Sequence, residues 1–285
     1  MKKTVVIILA LALIVGTLVC LTACGKGGEK GGAKAAILEI GFGEEQYGIA
    51  AAKGNDALIS KINEGLIGIA NGKMLEVADS YSLRTELLIN SDTQNPKADA
   101  TDGSWDKIVS KKKIVIGYTV FAPIAYTDEN TKKFTGFDTE MAREVIKYLN
   151  DKYNTSISIE FTEIDWDTKV VNINAGQFDL IWNGMTITDE IQESLSVSLP
   201  YLKNRQAAVV RVADKNKYPD LDSLKNAIIG CEKGSAGNAA ITENGLGKKV
   251  MTFDDQLSAY NQLLVGGVNV VIIDSIMAGF YISKG

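Results

Sequence analysis

Phe178-Asp179-Leu180-Ile181-Trp182-Asn183-Gly184-Met185-Thr186-Ile187-Thr188 opens as a short apolar strand and ends in small polar residues. Asn183-Gly184 reads as the stop of a strand over 178–181. Asp189 and Glu190 follow as the first turn of a helix. A strand that stops and runs toward a helix start exposes backbone N–H groups and a hydroxyl at its carboxyl end. Ligands bind there in open α/β sheets, and helix N-termini favour anions. Standing alone, the stretch reads equally as a buried strand and a tight turn.

Outward from it, strands alternate with helices. Toward the N-terminus, 166–175 reads as a helix, 157–161 as a strand, and 138–153 as a long helix capped by Asp138 with Met141, Val145, Ile146 and Leu149 inward. Phe121-Ala122-Pro123-Ile124-Ala125-Tyr126 is an aromatic loop after a strand at 113–119, and 105–110 is helical. Residues 91–103 are polar and aperiodic, a linker of flexible-coil dimensions. Before it, 74–81 is a short helix. Asn55 caps a helix over 56–70 whose stripe is Leu58, Ile59, Ile62, Leu66 and Ile69, and 47–50 is a strand. Toward the C-terminus, strands at 206–212, 228–231, 250–253 and 268–273 are interleaved with helices at 221–226, from 238, 254–265 and 275–283. Such alternation means an α/β architecture with largely parallel sheets.

The bulk numbers narrow the chemistry. Composition is ordinarily globular, 46% hydrophobic and 23% charged with 4 Pro. A net charge of −5 without a long basic run argues against nucleic acid as partner. With 0 His in 285 residues, hydrolase triads with His and His-type metal sites are excluded. No metal and no cofactor are expected.

Met1-Lys2-Lys3 followed by an apolar run over 5–19 reads as an export signal, short for a membrane span. Leu21-Thr22-Ala23-Cys24 resembles the lipobox of bacterial lipoproteins. That resemblance implies a signal peptide over 1–23, cleavage before Cys24 and diacylglycerol on its sulfur. The Gly- and Lys-rich 24–34 segment reads as a flexible tether. Cys20 leaves with the signal, so Cys231 remains the only unmodified Cys and no intrachain disulfide is expected.

From 105 to 285 the chain resembles the extracellular solute-binding proteins of polar amino acid ABC importers. The resemblance rests on Ile114-Val115-Ile116-Gly117, Phe121-Ala122-Pro123, Thr135-Gly136-Phe137-Asp138, Asp165-Trp166-Asp167, Gly176-Gln177-Phe178-Asp179, Gly184-Met185-Thr186-Ile187-Thr188, 230–235 and 271–278, in that order and spacing. The family's order continues past that point with a strand, a crossover and closing helices. That tail is similar to 35–81 here: Ile37-Leu38-Glu39, the Gly43–Ala50 run, Lys53-Gly54-Asn55 and Asn71-Gly72-Lys73-Met74-Leu75. The resemblance therefore implies a two-lobed periplasmic-binding-protein-like fold with two hinge crossovers, circularly permuted. The old ends are joined through 91–103, and the chain stops abruptly after a helix. Lobe one is expected at 46–203, and lobe two at 204–285 plus 35–45. A monomer, a membrane permease as partner and attachment to the cell membrane through Cys24 follow from the same resemblance.

The resemblance also implies the site. Phe121 and Trp166 stand where the family clamps its ligand between aromatics; Trp182 reads as core as readily as site. Asn183, Gly184, Met185 and Thr186 supply the carboxylate-binding turn, with Thr186 as its hydroxyl. Asp274 matches the acceptor of the ligand's α-ammonium, and a helix N-cap is an equal reading. Two departures matter. Ile191 stands where the family carries a carboxylate-binding Arg, and the second-lobe hydroxyl pair is reduced to Ser235 followed by Ala236. Glu232 adds a carboxylate. Arg205 at the hinge is the nearest replacement cation, though it reads as a solvated surface residue. Together these favour an amino acid or small relative with extra positive charge. The expected protein performs no chemistry. The alternatives are an enzyme of the same fold, dehydratase-like or cell-wall lytic and relying on Glu232 and Asp274, or a surface lipoprotein that binds nothing.

Overall fold

The structure, a computed structural model, describes residues 33–284. The signal segment, the lipobox with Cys24 and most of the tether lie outside the described residues.

The chain opens with β1 (Ala35–Ile37), β2 (Glu44–Ala52), α1 (Asp56–Ile69), α2 (Lys73–Ser80) and α3 (Ser104–Lys111). Next come β3 (Lys113–Tyr118), the hairpin β4 (Tyr126–Thr127) and β5 (Phe134–Thr135), α4 (Phe137–Tyr153), β6 (Ser158–Glu163) and α5 (Lys169–Asn174). β7 (Leu180–Thr186), α6 (Asp189–Ser194), β8 (Leu195–Val197) and β9 (Leu202–Arg211) follow. The last third is β10 (Ile228–Glu232), α7 (Ala236–Glu243), β11 (Lys249–Phe253), α8 (Gln256–Leu264), β12 (Val270–Asp274) and α9 (Ser275–Lys284). The alternation expected from sequence is present, with parallel β10–β11, β10–β12, β3–β6 and β3–β7 pairs, but the sheet is mixed rather than largely parallel: β1–β9, β9–β12, β2–β7, β2–β8 and β2–β9 are antiparallel.

The strands run in the order β11-β10-β12-β9-β2-β7-β3-β6. Two sheet halves meet at one antiparallel seam, where Glu44–Tyr47 of β2 pair with Leu202–Arg205 of β9. Beyond the seam, Gln206–Val210 of β9 pair with β12, and Ala35–Ile37 pair with Val209–Arg211. β2 goes the other way, to β7 and β8. β9 therefore begins at Leu202 rather than 206, because the seam recruits its first residues.

α1 forms where the apolar stripe predicts it. Leu58, Ile59, Ile62, Leu66 and Ile69 are all buried. Gly65 sits at its crossing with α4: a Cβ there would lie 2.6 Å from Val145 Cγ1, so the close approach excludes a larger residue. The cap differs from expectation. Asn55 occupies the cap position but its side chain makes no cap bond. Asp102 Oδ2 accepts instead from Ala57 N at 2.6 Å, and Ser104 Oγ from Leu58 N at 2.9 Å. The 91–103 stretch is irregular, as expected, but it is pinned to α1 rather than loose. Asn95 donates to the Ser60 carbonyl, and Lys97 pairs with Asp56.

Four further expectations shift. The strand read over 178–181 runs on through Asn183-Gly184 to Thr186, because β2 pairs with Met185 and Thr186. Gly184 stands at φ +61 inside a register shift between Gly48 and Ala50, a bulge that glycine accommodates. Asp138 is the second residue of α4 and not its cap. It is buried and accepts from Gly184 N and Tyr201 Oη, both at 2.7 Å. The helix read over 166–175 is only α5, since Asp165 to Thr168 form a turn closed by Asp165 Oδ1 and Asp167 N. The aromatic loop leads into the β4–β5 hairpin, which periodicity did not reveal.

We predict that Asp102→Ala lowers unfolding free energy by about 0.5–2 kcal/mol, whereas Asn55→Ala changes it by less than about 0.5 kcal/mol. Denaturant titration of both variants checks which residue caps α1.

Candidate functional site

The seam gathers polar side chains from both sheet halves. On β9, Asn204 and Gln206 are two apart and so face one side of the strand. Glu45 and Tyr47 lie opposite on β2. Asp274, the last residue of β12, reaches the same place. Tyr47 Oη, Asn204 Nδ2 and Gln256 Nε2 all donate to its carboxylate in short hydrogen bonds. Gln206 Nε2 adds a bond at 3.2 Å, and the backbone N–H of Asp274 donates to Gln256 Oε1 at 2.9 Å. Glu45 accepts from Asn204, from Gln206 at 2.7 Å and from Thr186 Oγ1 at 3.0 Å. Asp274 is thus neither a free acceptor nor a simple cap. Three of the protein's own donors converge on Oδ1, and Gln256 alone reaches Oδ2.

The expected site residues lie on both sheet halves, some in polar contacts near the seam and others in the apolar core. Phe121 is buried edge-on to Tyr47, with ring centroids 6.5 Å apart. It presses on Gly184, where a Cβ would stand 2.7 Å from its ring, so the bulge has glycine for space as well as for backbone. Asn183 Nδ2 donates to Thr119 Oγ1 at 3.1 Å, while its Oδ1 has no partner. Gly184 N–H is committed to Asp138, and the Thr186 hydroxyl to Glu45. The Met185 side chain lies in the core with Ile181 and Ile191. Trp182 is likewise in a core cluster.

Across the seam, Glu232 ends β10 at 2% exposure, and its Oε1 has no hydrogen-bond partner. Burial pushes its carboxyl up to about 8; Asp255 adds to this, while the Thr119, Lys169 and Gln256 side chains pull the other way. Ser235 caps α7, accepting from Asn238 N at 3.2 Å and donating to the Glu232 carbonyl at 2.8 Å. Trp166 is buried beneath the Lys169 ammonium, which stands 4.8 Å from its ring centre. Lys169 Nζ donates to the carbonyls of Trp166 and Gly234, both at 3.0 Å, and so ties the two halves together. The Lys233–Asp167 pair at 2.8 Å does the same in solvent, where such a pair is worth about 0–1 kcal/mol.

The seam is short of positive charge. Ile191 is buried in an apolar cluster, so nothing basic emerges there. Arg205 is exposed and lines a separate cavity of about 920 Å³ on the hinge side, together with Glu44, Tyr126, Lys203, Ser275 and Phe280. That cavity contains none of the expected ligand residues. Asn204 and Ser275 form part of its wall and connect it to Asp274. Four acidic groups sit high: burial and the Asp274 charge push Glu45 up to about 8, burial pushes Asp138 up to about 7, and burial raises Asp274 as it does Glu232. Cys231, next to Glu232, is free and buried, and its thiol is pushed up to about 12.

Sequence reasoning missed Glu45, Tyr47, Asn204, Gln206 and Gln256 as site residues. The signal available was Asn204 and Gln206, two polar residues at period two leading into the apolar Ala207–Val210 run.

The chain belongs to the bacterial extracellular solute-binding proteins, family 3, whose sequence profile matches residues 114–272. It is 24% identical over 183 residues to the L-cystine-binding protein TcyJ of Escherichia coli, covering 64% of this chain and 66% of that protein. With the L-cystine-binding protein TcyA of Bacillus subtilis it shares 28% over 190 residues, 60% of this chain and 68% of the relative. The chain thus spans about two thirds of the length of these relatives. Among solved structures, the arginine-binding protein of T. maritima superposes with a TM-score of 0.57 at 26% identity, over 63% of this chain and 76% of that one. A Streptococcus pneumoniae ABC uptake substrate-binding protein with bound histidine gives 0.55 at 26%, over 64% and 74%. The fold is that of these two-lobed amino-acid-binding proteins.

The raised carboxyls set a pH dependence of stability. A group whose folded pKa lies above its unfolded value stabilises fully below the unfolded pKa and loses that contribution as pH climbs through the folded one. With 0 His in the chain, no imidazole titrates in the same window. We predict that the melting temperature falls steadily from about pH 5 to about pH 8 and then levels. Thermal unfolding across a pH series measures it.

Proposed function

We propose that this chain is the lipid-anchored substrate-binding component of an ABC importer, closing its two lobes on an amino acid with extra positive charge or a small cationic relative. One observation carries the reading of the ligand. Glu232 is buried at the seam with an unpartnered oxygen, while the position of the carboxylate-binding Arg holds the buried Ile191. Burial holds this carboxyl largely in its neutral form at pH 7, and a ligand ammonium or guanidinium would supply both the missing donor and a charge that favours its ionised form. Phe121 and Trp166 flank the ligand. Asn183, Gly184, Met185 (through its backbone) and Thr186 line it from lobe one, and Ser235 and Asp274 from lobe two. The lobes are taken as 46–203 and as 204–285 plus 35–45, with hinge crossovers at Glu45–Tyr47 and Asn204–Gln206. Names among the relatives lend support, since several are amino-acid-binding proteins and one solved neighbour is an arginine-binding protein. Calorimetry tests the ligand class. Basic amino acids should bind to the wild type and about tenfold or more weaker to Glu232→Gln, a change of about 1.4 kcal/mol. Tight binding of glutamate or aspartate contradicts the reading.

The family's tail standing at the head of the chain is read as a circular permutation. In support, the family profile begins at 114, after the head, and β2 is the strand between β7 and β9. β1 packs beside α9, the helix it would follow in the family's order. Burial of Leu58, Ile62, Leu66 and Ile69 is worth roughly 6–12 kcal/mol gross at about 1.5–3 each, comparable to a domain's net stability of about 5–15 kcal/mol. Deleting 35–88 should therefore give an unfolded or aggregating protein, and placing that segment after Gly285 should restore a folded, ligand-binding one. A deletion variant that folds and binds as well as the full chain contradicts the permutation. Membrane attachment rests on the Leu21–Cys24 motif: Cys24→Ala should move the protein into the aqueous phase of a detergent separation, where the wild type should not be found.

A further inference from the structure

Glu45 Oε1 and Asp274 Oδ1 are bridged by the same two amides. Asn204 Nδ2 donates to both, and Gln206 Nε2 donates to both, at 2.7 Å and 3.2 Å. Two oxygens that share two donors lie side by side. The other polar neighbours of the pair are neutral: the Tyr47 hydroxyl and Gln256 on Asp274, and the Thr186 hydroxyl on Glu45. The titratable groups that face the pair are Tyr47 on β2, Tyr201 just before β9 and Glu232 on β10, and none is a cation. Asp274 is buried and Glu45 half-buried, so two ionised carboxylates this close repel each other with little water to screen them, and neither has a compensating charge. One proton between them removes the conflict. Burial and the Asp274 charge push Glu45 up to about 8, so that proton stays at neutral pH.

An independent feature marks the same place as built for a cation. Glu232 is 2% exposed, its charge acts on Asp274, and its Oε1 has no partner. Gln256 lies between the two carboxyls, donating to Asp274 and pulling on Glu232. Glu45 is itself only half-buried, so a departing proton has a route to water.

We propose that Glu45 and Asp274 share one proton in the closed cleft, and that the cationic group of the ligand replaces it, one proton leaving for each cation bound. This rests on the cationic-ligand reading above. The O–H bond of the pair breaks, the proton passes to solvent, and N–H donors of the ligand take over the two oxygens. The net charge of the pair with its occupant is unchanged by the exchange. The protein then discriminates against neutral ligands, which cannot replace the proton, and its affinity for a cation rises with pH.

Calorimetry with L-arginine, L-lysine and ethylenediamine as probes tests this, run in two buffers of different protonation heat. At about pH 6.5 the wild type should release about one proton per probe bound beyond whatever Glu232, also pushed up to about 8, gives up on meeting the cation, and affinity should rise with pH up to about pH 8. Glu45→Gln should bind more weakly, with about one proton fewer released per probe than the wild type and a shallower pH profile, and Asp274→Asn should behave alike if it folds. A probe that binds the wild type without proton release overturns the exchange and leaves the cationic reading standing. If no probe binds, the cationic reading falls, and the exchange with it. The shared proton itself is then read from unfolding. The wild type must lose more stability than Glu45→Gln between about pH 6 and 9, and coincident profiles overturn the shared proton too.

Discussion

The antiparallel pairing of Glu44–Tyr47 with Leu202–Arg205 is the constraint on which everything else depends. It is where the two sheet halves are joined edge to edge. Because side chains alternate along a strand, this register puts Glu45, Tyr47, Asn204 and Gln206 at one junction, with Asp274 arriving from β12. A slip of one residue would turn that set away from the seam and put the intervening side chains in its place. The register is secured from both sides, by β7 and β8 on β2 and by β12 and β1 on β9. The polar cluster is therefore a consequence of strand pairing, with residues 227 apart in sequence joined by one hydrogen bond.

Electrostatics then decide what the junction suits. Glu45, Asp274 and Glu232 bring three carboxyls into one buried region, and Lys169, spent on two carbonyls, is the basic group that acts on Glu232. Desolvation is the leading cause of the shift at each of the three. Such an arrangement disfavours bare anions and stores protonation. It is consistent with a site that exchanges a small positive ion, a proton, for a larger one.

Much of the fold was legible because it is written locally. Alternating strands and helices, the stripe of α1 and a helix starting at Asp189-Glu190 follow from period and composition, and all three are present. What was not legible depends on partners far away in sequence. α1 is capped by Asp102 and Ser104 rather than by Asn55. β7 extends to Thr186 because β2 pairs with it, and Asp138 turns inward to hold the Gly184 bulge. For the site, Phe121, Trp166, Thr186, Glu232 and Asp274 were reachable only through resemblance; the structure puts Thr186 and Asp274 in the polar cluster at the seam and Trp166 in an apolar cluster under Lys169. Glu45 and Tyr47 were legible only as a hinge crossover beside the 178–181 strand; that their side chains meet Asp274 depends on the register with β9, which the sequence does not write locally. The hydroxyls of Thr186 and Ser235 also proved to have partners within the protein.

The central claim is that the seam binds a small cationic molecule. Mass spectrometry of whatever copurifies with the full-length protein, released by mild denaturation, tests it most directly. The account predicts a stoichiometric small molecule carrying more positive than negative charge, absent from preparations of Glu232→Gln. A stoichiometric anionic or neutral molecule in its place would contradict it.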